Sequence, residues 1–189
     1  MTAVAGTTAS FGVTAVGDGL AYQWERSANT GQSWVGLPNA TASSYAVAAV
    51  DSSLDGNQYR VRVSGTANSV TSSAAILSVT PAPAPVAITA QPGDLSVVQG
   101  TTASFAVTAT GTSPSYQWQS SLDGLAWTPI ASATGTALTL SVVPLADNGK
   151  RVRVVVSNEV NTITSNSATL TVTAPLSAPV ITLAPQALS

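Results

Sequence analysis

Ser115-Tyr116-Gln117-Trp118-Gln119 is the stretch that decides the fold, and Ala21-Tyr22-Gln23-Trp24-Glu25 is an earlier copy of it. In an extended strand successive side chains point to opposite faces, so each tyrosine shares a face with its tryptophan and the polar residues take the other face. A buried indole of this kind fills the middle of a small two-sheet sandwich. Two copies of the stretch therefore predict two such sandwiches.

The repetition covers most of the chain. Its clearest matches are Gly6–Phe11 with Gly100–Phe105, Trp34 with Trp127, Arg60-Val61 with Arg153-Val154, and Ser72–Val79 with Ser165–Val172. A period of this length, made of strand-sized pieces, indicates tandem domains rather than one larger fold.

Short alternating segments separated by turn residues fill each repeat. In the second repeat they are Ala103 to Val107, Leu138 to Val142, Val152 to Val156 and a long closing strand over 163–173. The turns between them are rich in Gly, Asp, Asn and Pro. This pattern is typical of an all-β two-sheet sandwich, and helical periodicity is missing.

Composition excludes several classes of function. Charged residues make up 7% of the chain and the net charge is −2, with Lys150 as the single lysine, so we expect no nucleic acid partner. No apolar run is as long as a spanning helix, so we expect no membrane insertion. The chain has neither histidine nor cysteine, which removes the commonest general base and any thiol nucleophile. We therefore expect no enzyme activity, no catalytic residue and no cofactor.

Both repeats resemble the cysteine-free immunoglobulin-like domains that are strung together in bacterial surface proteins. The shared marks are a glycine before the second strand, the central tryptophan, an Asp/Asn-Gly turn and a closing Ser-x-x-Ala-x-Leu-x-Val segment. These marks are carried by Gly6 and Gly100, Trp24 and Trp118, Asp55-Gly56 and Asn148-Gly149, and the segments that begin at Ser72 and Ser165. The resemblance implies two tandem immunoglobulin-like β-sandwiches in a secreted or cell-surface protein.

The resemblance also implies where the core lies. The paired cysteines of the disulfide-bonded relatives would fall on Val13 with Val61 in the first repeat, and on Val107 with Val154 in the second. Valines packed on an indole recover about 1.5–3 kcal/mol per side chain, which offsets the roughly 2–4 kcal/mol of a missing disulfide. The predicted core therefore consists of these four valines and the two central tryptophans.

The termini of the chain are out of phase with the repeats. The sequence predicts a first sandwich at 1–80 that lacks its first strand (strand A), a proline-rich linker at 81–85, a second sandwich at 86–174 and a tail at 175–189. The tail repeats the strand A pattern, because Pro179-Val180-Ile181-Thr182-Leu183 matches Val86–Ala90. It therefore predicts an extra C-terminal strand that belongs to a following repeat.

Two interpretations of this phase shift stay open. Either the chain is an arbitrary segment of a longer tandem array, or Val180, Ile181, Thr182 and Leu183 of one molecule complete the first sandwich of the next. A missing edge strand leaves backbone groups unpaired, and an extended segment fills such a place by strand addition. The partners are neighbouring repeats in the first case and copies of the same chain, head to tail, in the second.

Polar residues on two neighbouring strands form one candidate binding face. Gln23 and Glu25 lie beside Arg60 and Arg62, and Trp34 follows nearby in the sequence. Cross-strand ion pairing explains the charges, and packing at a sheet edge explains the tryptophan. The alternative is a face that binds a carbohydrate or a protein receptor.

Asp51 and Asp55 flank one turn and could bind calcium, but ordinary turn chemistry explains them, and we expect no metal site. Taken together, the residues favour a structural task, as a spacer, stalk or filament subunit built from immunoglobulin-like domains. An adhesin-type binding module is the alternative.

Overall fold

The structure is a computed structural model in which residues 1–180 are described. It divides the chain into two compact units, Met1–Ala82 and Pro83 onward, which are the first and the second domain. Residues 1–180 contain strands and two short 3-10 turns but no α-helix.

The first domain has nine strands and one 3-10 turn. The strands are β1 (Thr2–Val4), β2 (Ala9–Gly12), β3 (Ala21–Ser27), β4 (Val35–Gly36), β5 (Ser44–Val47), β6 (Gln58–Ser64), β7 (Ser69–Thr71), β8 (Ala75–Ile76) and β9 (Ser78–Thr80), with the turn at Ser52–Leu54. One sheet has the order β4-β3-β6-β7, and β8 also pairs with β6. On the opposite side β2 pairs antiparallel with β5, while β1 pairs parallel with β9.

The second domain repeats this arrangement and adds one strand at its start. Its strands are β10 (Ala87–Ala90), β11 (Leu95–Val98), β12 (Ala103–Ala106), β13 (Thr108–Thr110), β14 (Ser115–Ser121), β15 (Thr128–Pro129), β16 (Ala137–Leu140), β17 (Arg151–Ser157), β18 (Thr162–Thr164) and β19 (Ala168–Thr173), with a 3-10 turn at Leu145–Asp147. The large sheet has the order β11-β19-β17-β14-β15, and β18 also pairs with β17. Two further pairs, β12 with β16 and β10 with β13, are antiparallel.

This arrangement confirms the predicted fold class, two tandem immunoglobulin-like β-sandwiches. Strands β2 and β12 alternate buried and exposed residues because one face packs on the core and the other meets solvent. The predicted extra strand begins at Val180, which is exposed, and its remaining residues, Ile181, Thr182 and Leu183, lie outside the described residues.

The two central tryptophans are buried, Trp24 at 3% exposure and Trp118 at 0%. A buried indole N–H needs a hydrogen-bond acceptor, and each one donates to a backbone carbonyl just before the next long strand. Trp24 Nε1 donates to the carbonyl of Ala42 at 3.0 Å, and Trp118 Nε1 donates to that of Gly135 at 2.9 Å. The indole thus ties the two sheets of each sandwich together through packing and one hydrogen bond.

The valines at the four predicted disulfide positions do not all behave alike. Val61, Val107 and Val154 are buried, whereas Val13 is only half-buried at the edge of the core. The prediction of Val13 as a core residue was therefore wrong in part. Its counterpart Val107 is covered because β10 pairs with the residues that follow it, and no strand formed by residues 1–82 takes that place in the first domain.

Two predicted strands end earlier than their patterns indicated. Strand β16 stops at Leu140, and Val142 is exposed with a φ of 52°, because the chain turns there and Val143 becomes the buried residue. The closing segment is two strands rather than one, since Ser165 leaves the ladder. Its Oγ accepts a hydrogen bond from the backbone N–H of Val154 at 2.9 Å.

Candidate interaction surfaces

Three residues of the predicted binding face come together on the large sheet of the first domain. Glu25 and Arg60 lie opposite each other on β3 and β6, and Arg60 Nε donates to Glu25 Oε2 at 2.7 Å. The guanidinium of Arg60 also stacks on the ring of Trp34, 4.0 Å from its centroid. An ion pair and a cation–π contact therefore share one arginine.

The second domain builds the same cluster without the carboxylate. Arg153 stacks on Trp127 at 4.1 Å, and its Nε donates to Gln119 Oε1 at 2.8 Å. The geometry is thus kept when the acceptor is neutral. A shared packing role for the arginine and tryptophan explains both copies, and the acidic group of Glu25 is not required for it.

Gln23 and Arg62 are engaged by their own domain. Gln23 Nε2 donates to the carbonyls of Trp24 at 2.9 Å and Leu37 at 2.8 Å, which holds the segment after β4 against β3. Arg62 lies farther along β6 and donates to Ser69 Oγ at 3.3 Å. The five residues of the predicted face therefore do not converge on one empty site, because their polar groups bond to one another or to backbone.

Glu25→Gln tests how much the ion pair stabilises the first domain, because it recreates the neutral acceptor of the second domain. Exposed ion pairs contribute about 0.2–1 kcal/mol, so we expect a loss of unfolding free energy of less than ~1 kcal/mol at low salt. Salt screens exposed charges, so this difference should vanish in high salt. Urea denaturation of both chains at low and high salt measures it. A loss that persists in high salt would contradict a purely electrostatic contribution.

Asp51 and Asp55 both serve turn chemistry in the structure. Asp51 Oδ1 accepts from the backbone N–H of Ser53 at 2.8 Å, which begins the 3-10 turn, and it also accepts from the Ser53 hydroxyl. Asp55 Oδ1 accepts from the N–H of Val79 at 2.7 Å. Across residues 1–180 no group of three acidic side chains could hold a metal ion.

Asp123 organises the loop between β14 and β15 in the second domain. Its Oδ1 accepts from the backbone N–H groups of Leu125 and Ala126 and from the hydroxyl of Ser121, at 2.8, 3.0 and 2.9 Å. The hydrogen bond from Leu125, followed by those from Ala126 and Ser121, holds the pKa of Asp123 below its usual range. The ionised carboxylate is therefore favoured in the folded state.

This lowered pKa predicts acid sensitivity of the second domain. The stabilisation from Asp123 is complete above the pKa of the unfolded chain, near 3.8, and is lost as pH falls through the lower folded pKa. Asp123→Asn keeps the acceptor oxygen but cannot titrate. We expect the wild-type chain to lose stability relative to this variant below about pH 4, measured by thermal melts from pH 6 to pH 2. Parallel curves for the two chains would contradict the assignment.

Strand β10 shows how the second domain seats its strand A. It pairs antiparallel with β13, with Ile88 opposite Ala109 and Ala87 opposite Thr110. Val86, just before the strand, is 3% exposed, and Ile88 packs against the core. Strand A therefore closes the open side of this sandwich with apolar side chains.

Two asparagines after β17 hold the chain as it enters the second domain. Asn161 Oδ1 accepts from the N–H of Val86 at 2.7 Å, and its Nδ2 donates to the carbonyl of Val86 at 3.1 Å. Asn158 Nδ2 donates to the carbonyl of Ala84 at 2.7 Å. Ala84, predicted as part of a linker at 81–85, is thus bound by the second domain. Sequence analysis did not identify these asparagines.

The matching surface of the first domain is open. One cavity of about 220 Å³ lies beside Ala15, Val16 and Leu20, and another of about 260 Å³ is lined by residues from Phe11, Val13 and the segment Ser72–Ala75. We name the surface formed by 13–16 and 72–75 the strand A groove. It corresponds to the place that β10 occupies in the second domain.

Burial confirms that the groove is an uncovered apolar surface. Val16 is 94% exposed, and Ala75 is exposed although its counterpart Ala168 is fully buried. The closing strand is also interrupted here, with β8 and β9 separated at Leu77, where the second domain has the continuous β19. Large exposed apolar surfaces next to unpaired strand edges are interaction sites.

Comparison with known proteins gives partial matches. Residues 86–174 match the model of a family described as a domain of unknown function, DUF8696. Endoglucanase C of Cellulomonas fimi is 35% identical over 148 residues, which cover 78% of this chain and 13% of the endoglucanase. The chain is thus similar to a short part of a much longer bacterial protein.

Solved structures with similar architecture are tandem immunoglobulin domains. Titin domains Z1Z2 in a complex with telethonin are 22% identical, cover 93% of each chain and give a TM-score of 0.44. A complex of Dpr2 Ig1-Ig2 with DIP-Theta Ig1-Ig3 is 16% identical, covers 90% of this chain and 63% of the other, and gives a TM-score of 0.46. In residues 1–180, no helix has the length and apolar character needed to cross a membrane.

Proposed function

We propose that this chain is a structural spacer segment of an extracellular bacterial protein, in which tandem immunoglobulin-like domains set a distance. The observation that carries the proposal is the parallel pairing of the first and last strands in each domain. Strand β1 pairs parallel with β9, and β11 with β19. Because these strands run in the same direction, the chain enters each sandwich at one end and leaves at the other. Such a domain adds its own length to an array.

The chemistry of the chain supports a passive role. It has no imidazole and no thiol, and the carboxylates of Asp51, Asp55 and Asp123 are used in turns. The matched segment is only 13% of the endoglucanase, so its activity gives no reason to assign catalysis here. An extracellular location fits the absence of any need for metal or thiol chemistry and the bacterial relative, and it is part of the proposal.

The adhesin alternative is disfavoured by the contacts of the predicted binding face. One face of the Trp34 ring is covered by Arg60, and its indole N–H already donates to the carbonyl of Gly31 at 3.0 Å. A carbohydrate that stacked on this ring would have to displace the arginine or use the other face. The contacts therefore favour packing over ligand recognition.

Small-angle X-ray scattering of the chain and of a tandem duplication of residues 1–178 tests the spacer function. We expect the maximum dimension to increase by a constant amount for each added domain. A duplication no longer than the single chain would contradict the proposal. A glycan array run on the same proteins tests the alternative, and a specific signal that is lost in Trp34→Ala and Arg60→Ala would favour the adhesin.

A further inference from the structure

The strand A groove of the first domain has a matched, filled counterpart in the same chain. In the second domain, Ala87 lies opposite Thr110 and Ile88 opposite Ala109. The corresponding residues of the first domain are Val16 and Ala15. A strand that entered the groove in this register would pair with 14–16 as β10 pairs with β13.

We propose that residues 179–183 of a second copy of this chain add to the strand A groove as an antiparallel strand. This inference rests on the proposed function, because it joins spacer segments head to tail. In the register of β10, Ile181 takes the place of Ile88 over the core, and Val180 takes the place of Ala87. The pattern of the tail and that of the groove therefore agree residue by residue.

One contact is more apolar in this pairing than in the second domain itself. Val180 falls opposite Val16, at the position where the second domain has Ala87 opposite Thr110. Val16 is 94% exposed and Val180 is 79% exposed. Directly opposed β-branched side chains stabilise a strand pair, so the two exposed valines complement each other.

The entry clamp is weaker in this pairing, which sets the expected affinity. Pro179 stands where Val86 donates its N–H to Asn161, and proline has no N–H to donate. Gly65 stands where Asn158 holds the carbonyl of Ala84. Binding therefore depends on strand pairing and on Ile181, and we expect reversible assembly that depends on concentration.

Peptide binding tests the groove directly. A labelled peptide with the sequence of residues 177–189 is titrated into a chain that ends at residue 176, and its anisotropy is followed. We expect saturable binding, and we expect the matched Ile181→Asp peptide to bind about tenfold more weakly or worse. A reference peptide with the sequence of 84–95 should bind at least as well, because it keeps Val86. Failure of both native peptides to bind would overturn the groove as an acceptor.

A self-complemented variant provides the control on the protein side. It carries the sequence of residues 84–95 directly before Thr2, so that the first domain receives its own strand A in register. We expect it to lose peptide binding and to raise the Tm of the first domain by about 10 °C or more, since two apolar side chains become buried. An unchanged Tm together with unchanged peptide binding would contradict the proposed register.

Sedimentation of the full chain over a range of concentrations decides whether a second copy is the donor. We expect oligomers that increase with concentration and that disappear in Ile181→Asp and in the self-complemented variant. A monomer at every concentration, or binding of the 84–95 peptide without the 177–189 peptide, would overturn donation by the tail. Neither result would affect the scattering test, which uses covalently joined domains, so the two proposals can fail separately.

Discussion

Trp118→Ala should lower the unfolding free energy of the second domain by about 3–5 kcal/mol, enough to leave it largely unfolded near body temperature. The indole is fully buried at the centre of the core, and it also donates to the carbonyl of Gly135. Alanine would leave a cavity and an unpaired carbonyl. Urea denaturation followed by circular dichroism measures the change, and the first domain, unaltered in the same chain, provides an internal reference.

Trp127→Ala is the matched control for this substitution. Trp127 lies in the same domain, but it is half-buried and is held mainly by Arg153. A cation–π contact of this kind contributes about 0.5–1 kcal/mol, so we expect a much smaller loss than for Trp118→Ala. Equal losses for the two tryptophans would contradict the assignment of Trp118 as the residue on which the core depends.

Gly111→Ala should unseat strand A of the second domain. A Cβ at Gly111 would lie 2.8 Å from both the carbonyl oxygen of Pro85 and the Cα of Val86, and these backbone atoms have little room to move. Release of the strand would expose Val86 and Ile88, at a cost of roughly 2–4 kcal/mol. The second domain would then resemble the first, with its groove open.

Gly17→Ala isolates this effect, because Gly17 is the counterpart of Gly111 in the first domain. Both glycines have positive φ, so both variants carry backbone strain of about 1–3 kcal/mol. At Gly17 the nearest atom is a side-chain carbon of Leu20 at 3.2 Å, and no strand A backbone lies there. The loss in thermal stability should therefore be larger for Gly111→Ala. Equal losses would indicate that strand A contributes little to the second domain.

The sequence predicted those parts of the fold that depend on local alternation and on repetition. The tryptophans lie where an alternating strand with a polar opposite face must place them, and three of the four valines at the disulfide positions are buried. Val13 was not, because its burial depends on a strand that is distant in sequence. Val142 was also misplaced, since alternation cannot show that a chain turns out of the sheet at a positive φ.

The candidate surfaces were predictable to different degrees. The recurrence of Trp34 and Arg60 as Trp127 and Arg153 is a sequence signal for a contact, and it identified the residues but not their stacking. The strand A groove was expected from the phase of the termini. Its clamp at Asn158 and Asn161 was missed, because an asparagine after a strand is read as turn chemistry until the incoming chain is seen against it.

The two domains differ in how firmly their terminal strands are tied, and this difference bears on a spacer under tension. The parallel pairing covers Thr2–Val4 in the first domain and Leu95–Val98 in the second. A pull on the two ends of such a domain runs along these strands and loads their hydrogen bonds together. The second domain also has a seated strand A, so it should resist the higher force.

Single-molecule stretching of the chain from its two ends therefore tests the central claim most directly, namely that each sandwich is an independent unit which the chain enters at one end and leaves at the other. The account predicts two rupture events, the first domain yielding at the lower force, each releasing roughly 300 Å of chain because about 80–90 residues extend by up to ~3.5 Å apiece. A single event, or a smooth extension without rupture, would contradict it.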